Sequence, residues 1–397
     1  MAPSVPFAYV IESGQNPPAI EAAPTSIAAF VGFARTGPTN GPGLVQSFND
    51  FETQYGGLDP GFPLGYAVSQ FFANGGAEAY VLRLAPTAAG TGEPSSAAFH
   101  EALNADGSRL GADGAPVGVW LLDLADLVNL ICVPGETDAA TIANLQAYAR
   151  SRRAFLIVDC KRSDDVASLT APAFQTSAMF GADAINSAFY FPWVLAPDPV
   201  SGGEVAYPPS GFVAGVYAAT DASRGVWSAP AGVEASLGGA TGLTVGITDS
   251  EEAALNAAAV DCLRVFLGQG PVVWGARTQA GSDGSGSEWT YVPVRRLALF
   301  LEQSIGRGVQ WAVLEPNAEP LWARLRLAVG AFLHAQFAAG AFQGAEPRDA
   351  YFVKCGADTT TEADLQAGVV NIVVGFAPLK PAEFVVLTIQ TMAEASG

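Results

Sequence analysis

A mixed fold is predicted, an α/β body followed by an α+β C-terminal body, with extended β-strand arms at both chain ends that would augment sheets of other copies. Three observations predict it. Apolar runs at 127–133 and 154–159 alternate with amphipathic helical stretches, the pattern of parallel strands covered on both faces. The last third of the chain joins two long helical patterns to short strand patterns. Residues 381–391 read as a strand with no hairpin partner beside it: Val385, Leu387 and Ile389 fall on one face and Phe384, Val386 and Thr388 on the other. At the other end Val5, Phe7, Tyr9 and Ile11 alternate before the prolines at 17 and 18 remove backbone donors. Two uncovered strands on one chain point to strand exchange between identical subunits.

Each element follows from its residues. A buried strand is expected at 25–34, a short extended piece at 44–47 and a helix at 48–55 ended by Gly56 and Gly57. The stretch 64–74 places Leu64, Val68 and Phe71 on one helical face and stops at Gly75, before a strand at 79–84. Residues 85–118, rich in Gly, Ala, Ser and Pro, read as an exposed excursion with helix only at 99–103. A helix at 138–153, with Ile142, Leu145 and Tyr148 or Ala149 inward, separates the two apolar runs. A strand follows at 187–195, then a helix opened by Pro209. Later come a strand at 272–274, a helix at 294–305 ended by Gly306, a helix at 320–339, a strand at 350–355, a short helix capped by Thr361 and a buried strand at 369–376.

Composition narrows the partners. Only 14% of the 397 residues are charged, which suits a protein buried among neighbours. A net charge of −19 opposes binding to nucleic acid and to anionic lipid. Cys132, Cys160, Cys262 and Cys355 form no C-x-x-C pair, and reduced buried thiols are expected. The first residues lack a basic segment followed by an apolar core, and no stretch reaches the roughly 20 apolar residues that span a bilayer, so folding in a cytoplasm without membrane insertion is expected.

Catalytic chemistry finds little purchase. His100 and His334 sit in no H-E-x-x-H or G-x-S-x-G context, and the glycine-rich stretches 37–43 and 281–287 lack a phosphate-loop lysine. Asp283 alone falls short of a calcium cage. The best enzyme case is Asp159, ending a parallel-type strand with Asp123, Asp126 and Glu136 nearby in sequence; it makes a hydrolase-like cytoplasmic α/β enzyme the competing reading. No catalytic, cofactor or metal site is predicted.

Several segments together resemble the contractile tail sheath family of phages and phage-tail-like injection particles. The most specific block is VWGART at 273–278, the Gly/Ser loop, WTYVPVRRL at 289–297 and LEQSI at 301–305. Further matching pieces are FETQYG at 51–56, FFANGG at 71–76, YVLR at 80–83, NLICVPG at 129–135, YFPW at 190–193 and PPSG at 208–211. The resemblance implies an N-terminal arm at 1–22, an outer α/β sheath domain at 23–275 with a short surface insertion near 85–118, an inner C-terminal domain at 276–380 facing a tube, and a C-terminal arm at 381–397. It further implies a helical homo-oligomer linked by strand exchange, with an inner tube protein, baseplate and cap proteins and paralogous sheath subunits as partners. The particle would assemble in the cytoplasm and be released. Arg324 and Arg326 become tube-facing candidates, with local pairing to Glu315 or Glu319 as the alternative. Arg295 and Arg296 become candidates for ion pairs between domains or subunits, with a solvated helix face as the alternative.

Overall fold

The computed structural model describes residues 17–85 and 93–381. The chain divides into two compact units, Pro24–Leu301 with Leu379–Gly397, and Met1–Ala23 with Glu302–Pro378. The arm residues Val5, Phe7, Tyr9 and Ile11, and Phe384, Val385, Val386, Leu387, Thr388 and Ile389, lie outside the described residues.

In the larger unit the chain runs β1 (Ala28–Gly32), β2 (Gly43–Val45), α1 (Phe48–Tyr55), α2 (Pro63–Ala73), β3 (Ala79–Arg83), α3 (Ala97–Leu103), β4 (Leu130–Cys132), α4 (Ala139–Arg152) and β5 (Phe155–Asp159). It continues through α5 (Val166–Thr170), α6 (Pro172–Gln175), β6 (Ser187–Phe191), β7 (Val194–Pro197), β8 (Glu204–Tyr207), α7 (Ser210–Arg224), β9 (Gly242–Leu243), α8 (Asp249–Ala257), β10 (Val260–Phe266) and β11 (Gly270–Val273) into α9 (Val292–Gly308). Eight strands form one sheet in the order β11-β10-β6-β5-β4-β1-β3-β2. Its six central strands run parallel, and an antiparallel strand lies at each margin. A second, three-stranded sheet joins β8, β7 and β9.

Alternation along the central strands builds two cores. Phe30, Phe155, Ile157 and Tyr190 pack with Phe71 of α2 and Phe212 and Val216 of α7. Val31, Leu156, Val158 and Phe189 pack on the other face with Ile142, Leu145 and Tyr148 of α4 and Leu255 of α8. Each such side chain contributes about 1.5–3 kcal/mol on burial, which is why the central strands read as continuous apolar runs. The margins are closed by the chain itself. Beside β11, Leu237 N donates to Pro271 O and Val273 N to Ala235 O, both at 2.9 Å. At the other margin the three-residue β2 has its Leu44 carbonyl occupied by Gln54 Nε2 at 3.3 Å.

Some expectations change. Residues 187–195 separate into β6 and β7, because Pro192 has no donor to carry a ladder through. Phe99 and Leu103 of α3 are fully buried in the second core, so the excursion is partly core; their i, i+4 spacing puts both on one helix face. Helix α9 passes through Gly306 to Gly308, a glycine inside a helix costing only about 1 kcal/mol.

In the smaller unit the second half of α9 is followed by α10 (Glu319–Ala338), α11 (Pro347–Ala350), β12 (Tyr351–Lys354), α12 (Glu362–Gln366) and β13 (Val373–Phe376). Thr361 caps α12 as expected, its side chain accepting from Asp364 N. The core gathers Leu321, Trp322, Leu325 and Cys355, with Trp311 and Ile372 packed against it. The segment before Pro24 lies along α9: Ala23 N donates to Ser304 Oγ at 3.0 Å, and Ile20 occupies the space that a Cβ on Gly308 would need.

Candidate assembly interface

Strands β12 and β13 pair antiparallel with Tyr351 opposite Phe376 and Val353 opposite Val374. On this face Tyr351 is within aromatic range of Phe342 and of Phe337 on α10. The other face is bare. Phe352 is 50% exposed and Val373 44% exposed, although the region around Val373 reads as a buried strand in sequence. Among the described residues β13 has a single strand partner. Phe352 lies across Gly375, where a Cβ would meet the ring at 2.1 Å, so only glycine lets the ring lie flat on the neighbouring strand. A two-stranded sheet is marginal by itself and leaves backbone donors and acceptors along its outer edges.

The four candidate arginines are placed differently. Arg296 is 3% exposed and holds Asp221 through Nη1 and Nη2 at 2.8 and 2.6 Å; Nη2 also donates to Thr25 O, and the guanidinium covers the Tyr217 ring. Burial works against its charge, yet Asp221 more than offsets this and raises its pKa. Arg295 donates from Nε to Asn186 Oδ1 at 2.9 Å and lies over Trp289. On the smaller unit Arg324 stacks on Trp311, 3.5 Å from Glu315. Arg326 pairs with Glu319 and donates to the Cys355 carbonyl. The local pairs with Glu315 and Glu319 are therefore both present.

The acids of the enzyme reading are engaged by neighbours. Asp159 is buried, accepting from Gly135 N, Ser210 N and Ser210 Oγ at 2.7–2.9 Å. Burial pushes its pKa up to about 6, against the pull of those donors. Glu136 accepts from Ser95 Oγ and from the backbone of Thr137 and Asp138, with His100 Nε2 3.0 Å from its other oxygen. Asp123 pairs with Arg109 and receives Tyr148 OH. Asp283 pairs with Arg277, whose Nη1 also donates to Asn256 O and Gly281 O and so ties the Gly/Ser loop back onto the VWGART run. Among the described residues no group of three or more potential metal ligands is assembled. His334 is exposed on α10, with Nδ1 3.2 Å from Tyr351 OH.

The model of the phage tail sheath protein central domain matches residues 124–279. A chain from the cryo-EM structure of the anti-feeding prophage (AFP) baseplate is 30% identical with a TM-score of 0.73, the match covering 99% of this chain and 100% of that one. The chain belongs to the contractile tail sheath family. This sheath-family chain is also 29% identical, with a TM-score of 0.75, to the AFP helical sheath in its contracted state, over 98% of this chain and 99% of that one. A prophage major tail sheath protein of Pseudomonas aeruginosa (strain UCBPP-PA14) is 28% identical over 249 residues, 60% of this sheath-family chain and 59% of its relative's length.

Structure adds residues that the sequence reading left unassigned. Helix α8 and strand β10 went unread, though Thr248 and Glu251 have the spacing of a capping box and both sides of that box form. Strand β10 buries Val260, Cys262 and Leu263, an apolar run interrupted by Asp261, which hides its period.

Proposed function

We propose that this chain is a structural subunit of a helical contractile sheath surrounding an inner tube protein. Segments 1–22 and 381–397 of each copy add strands to the β12–β13 sheet of neighbouring copies, completing a four-stranded sheet. The observation that carries this reading is the two-stranded sheet with bare edges and a bare apolar face, in a chain whose relatives include a helical sheath. Each added strand forms several backbone hydrogen bonds at about 1 kcal/mol net apiece and buries apolar surface, so a link resists separation by several kcal/mol. Such links survive while the bodies rotate, and contraction draws its energy from new contacts between bodies without consuming nucleotide.

In this reading 23–275 is the outer domain and 276–380 the inner one. Helix α10 faces the tube, offering Arg324 and Arg326 beside exposed Ala323, Leu327 and Ala331. Arg296 and Asp221, on either side of position 275, hold those stretches together, with Arg295 supporting them through Asn186. Baseplate, cap and paralogous sheath proteins bind the ends and sides of the cylinder. The negative charge keeps nucleic acid and anionic membranes off the partner list. The subunit is made in the cytoplasm and leaves with the particle. Negative-stain microscopy of the purified chain, alone and with its tube partner, tests the reading: hollow striated cylinders are expected, and uniform small particles under both conditions reject it.

A further inference from the structure

The larger unit carries a cleft of about 520 Å³ that no step of the sheath reading uses. One wall is the side of α8 that shows Ala253 and Ala257, residues small enough to leave room above them. Val260 and Cys262 of β10 also line it, as does Trp274, whose ring centroid lies 4.5 Å from that of Phe266. Asp249, Glu252, Asn256, Arg277 and Asp283 supply the polar part of the lining, with Arg277 paired to Asp283. Pro381 belongs to the same lining, and it is the residue from which the C-terminal segment departs.

We infer that this cleft receives residues 382–391 of the same chain before assembly, an inference that rests on the reading of that segment as an exchanged arm. Two arguments select this occupant. Position comes first: the described chain ends inside the cleft at Pro381, whose ring fixes φ near −65° and restricts Lys380 to extended backbone, so the following residues start at the cleft. Chemistry comes second. The segment carries Phe384, Val386 and Thr388 on one face, and a cleft of this volume holds a few such side chains, whereas an uncovered apolar strand on a lone subunit invites unregulated pairing. Docking in cis competes with donation in trans, so subunits wait until an existing edge offers a better site.

Hydrogen exchange on the full chain, at concentrations where it is monomeric, tests this against Ala253→Trp, which fills the cleft from an exposed helix position. Amides of 382–391 are expected to exchange at least tenfold faster in the variant, protection in the native chain is expected to be independent of dilution, and the variant should form cylinders at several-fold lower concentration. Equal exchange in the two chains overturns the inference, as does protection that grows with concentration, which would assign the cleft to a second copy. Should Ala253→Trp misfold, Ala257→Leu on the same wall serves with the same criteria. A protected segment in a chain whose Leu387→Asp variant still makes cylinders would leave the cis contact standing and remove the exchanged-arm reading instead.

Discussion

At Arg296 two hydrogen bonds to Asp221, one to a backbone carbonyl and an aromatic face meet one guanidinium that water barely reaches. Removing one partner of such a pair strands a buried charge. Asp221→Ala should therefore lower stability by about 3–5 kcal/mol in chemical denaturation, and Arg296→Lys should recover only part of the native value, because an ammonium cannot hold both oxygens in the same fork. Asp159 supplies a pH signature. Its folded-state pKa, about 6, lies above the ordinary 3.8, so folding binds a proton as pH falls between those values and stability contributed by this site rises on acidification. Between pH 7 and pH 5 the native chain should gain about 1 kcal/mol from this group, and Asp159→Asn should lose that component of the slope. An unchanged slope would show the anion to be better satisfied than its burial indicates. The residue types at these points were legible in sequence, while their partners were not: Arg296 lies 75 positions from Asp221 and Asp159 lies 51 from Ser210, so neither pairing leaves a local trace.

Elements with strong local signals were read nearly to the residue. Helix α1 matches its expected bounds because Ser47 caps it and Gly56 takes the left-handed turn that ends it. Helix α4 buries Ile142 and Leu145 as expected, together with both alternatives for the third inward position, Tyr148 and Ala149. Reading failed where tertiary context decides: Pro192 divides one apparent strand, and β13, apolar in sequence, keeps one face half exposed. That bareness leads to a prediction at this scale. Phe352→Ser should change the stability of the isolated subunit by no more than about 0.5 kcal/mol, as exposed substitutions usually do, while abolishing cylinder formation in the microscope. Loss of the fold would place Phe352 in the subunit's own core.

For the whole molecule, the parallel sheet and its helices were legible because covered strands are apolar throughout, and the low charge content had already suggested a buried life. The position of the division between units was not legible, since the boundary falls inside α9, a helix without interruption in pattern. Assembly is tested at this scale by Leu387→Asp, which should leave a folded, soluble, mainly monomeric chain by sedimentation; long tubes from it would refute strand exchange. The closed margins of the eight-stranded sheet then bear on fidelity. With β11 hydrogen-bonded to residues 235–237 and β2 cut to three residues and stoppered by Gln54, a stray arm meets no vacancy there. Among the described strands, free edges remain only on the two small sheets, on β8 and β9 of one and on β12 and β13 of the other, so the largest sheet is closed to stray pairing and any added strand has only those short edges to join.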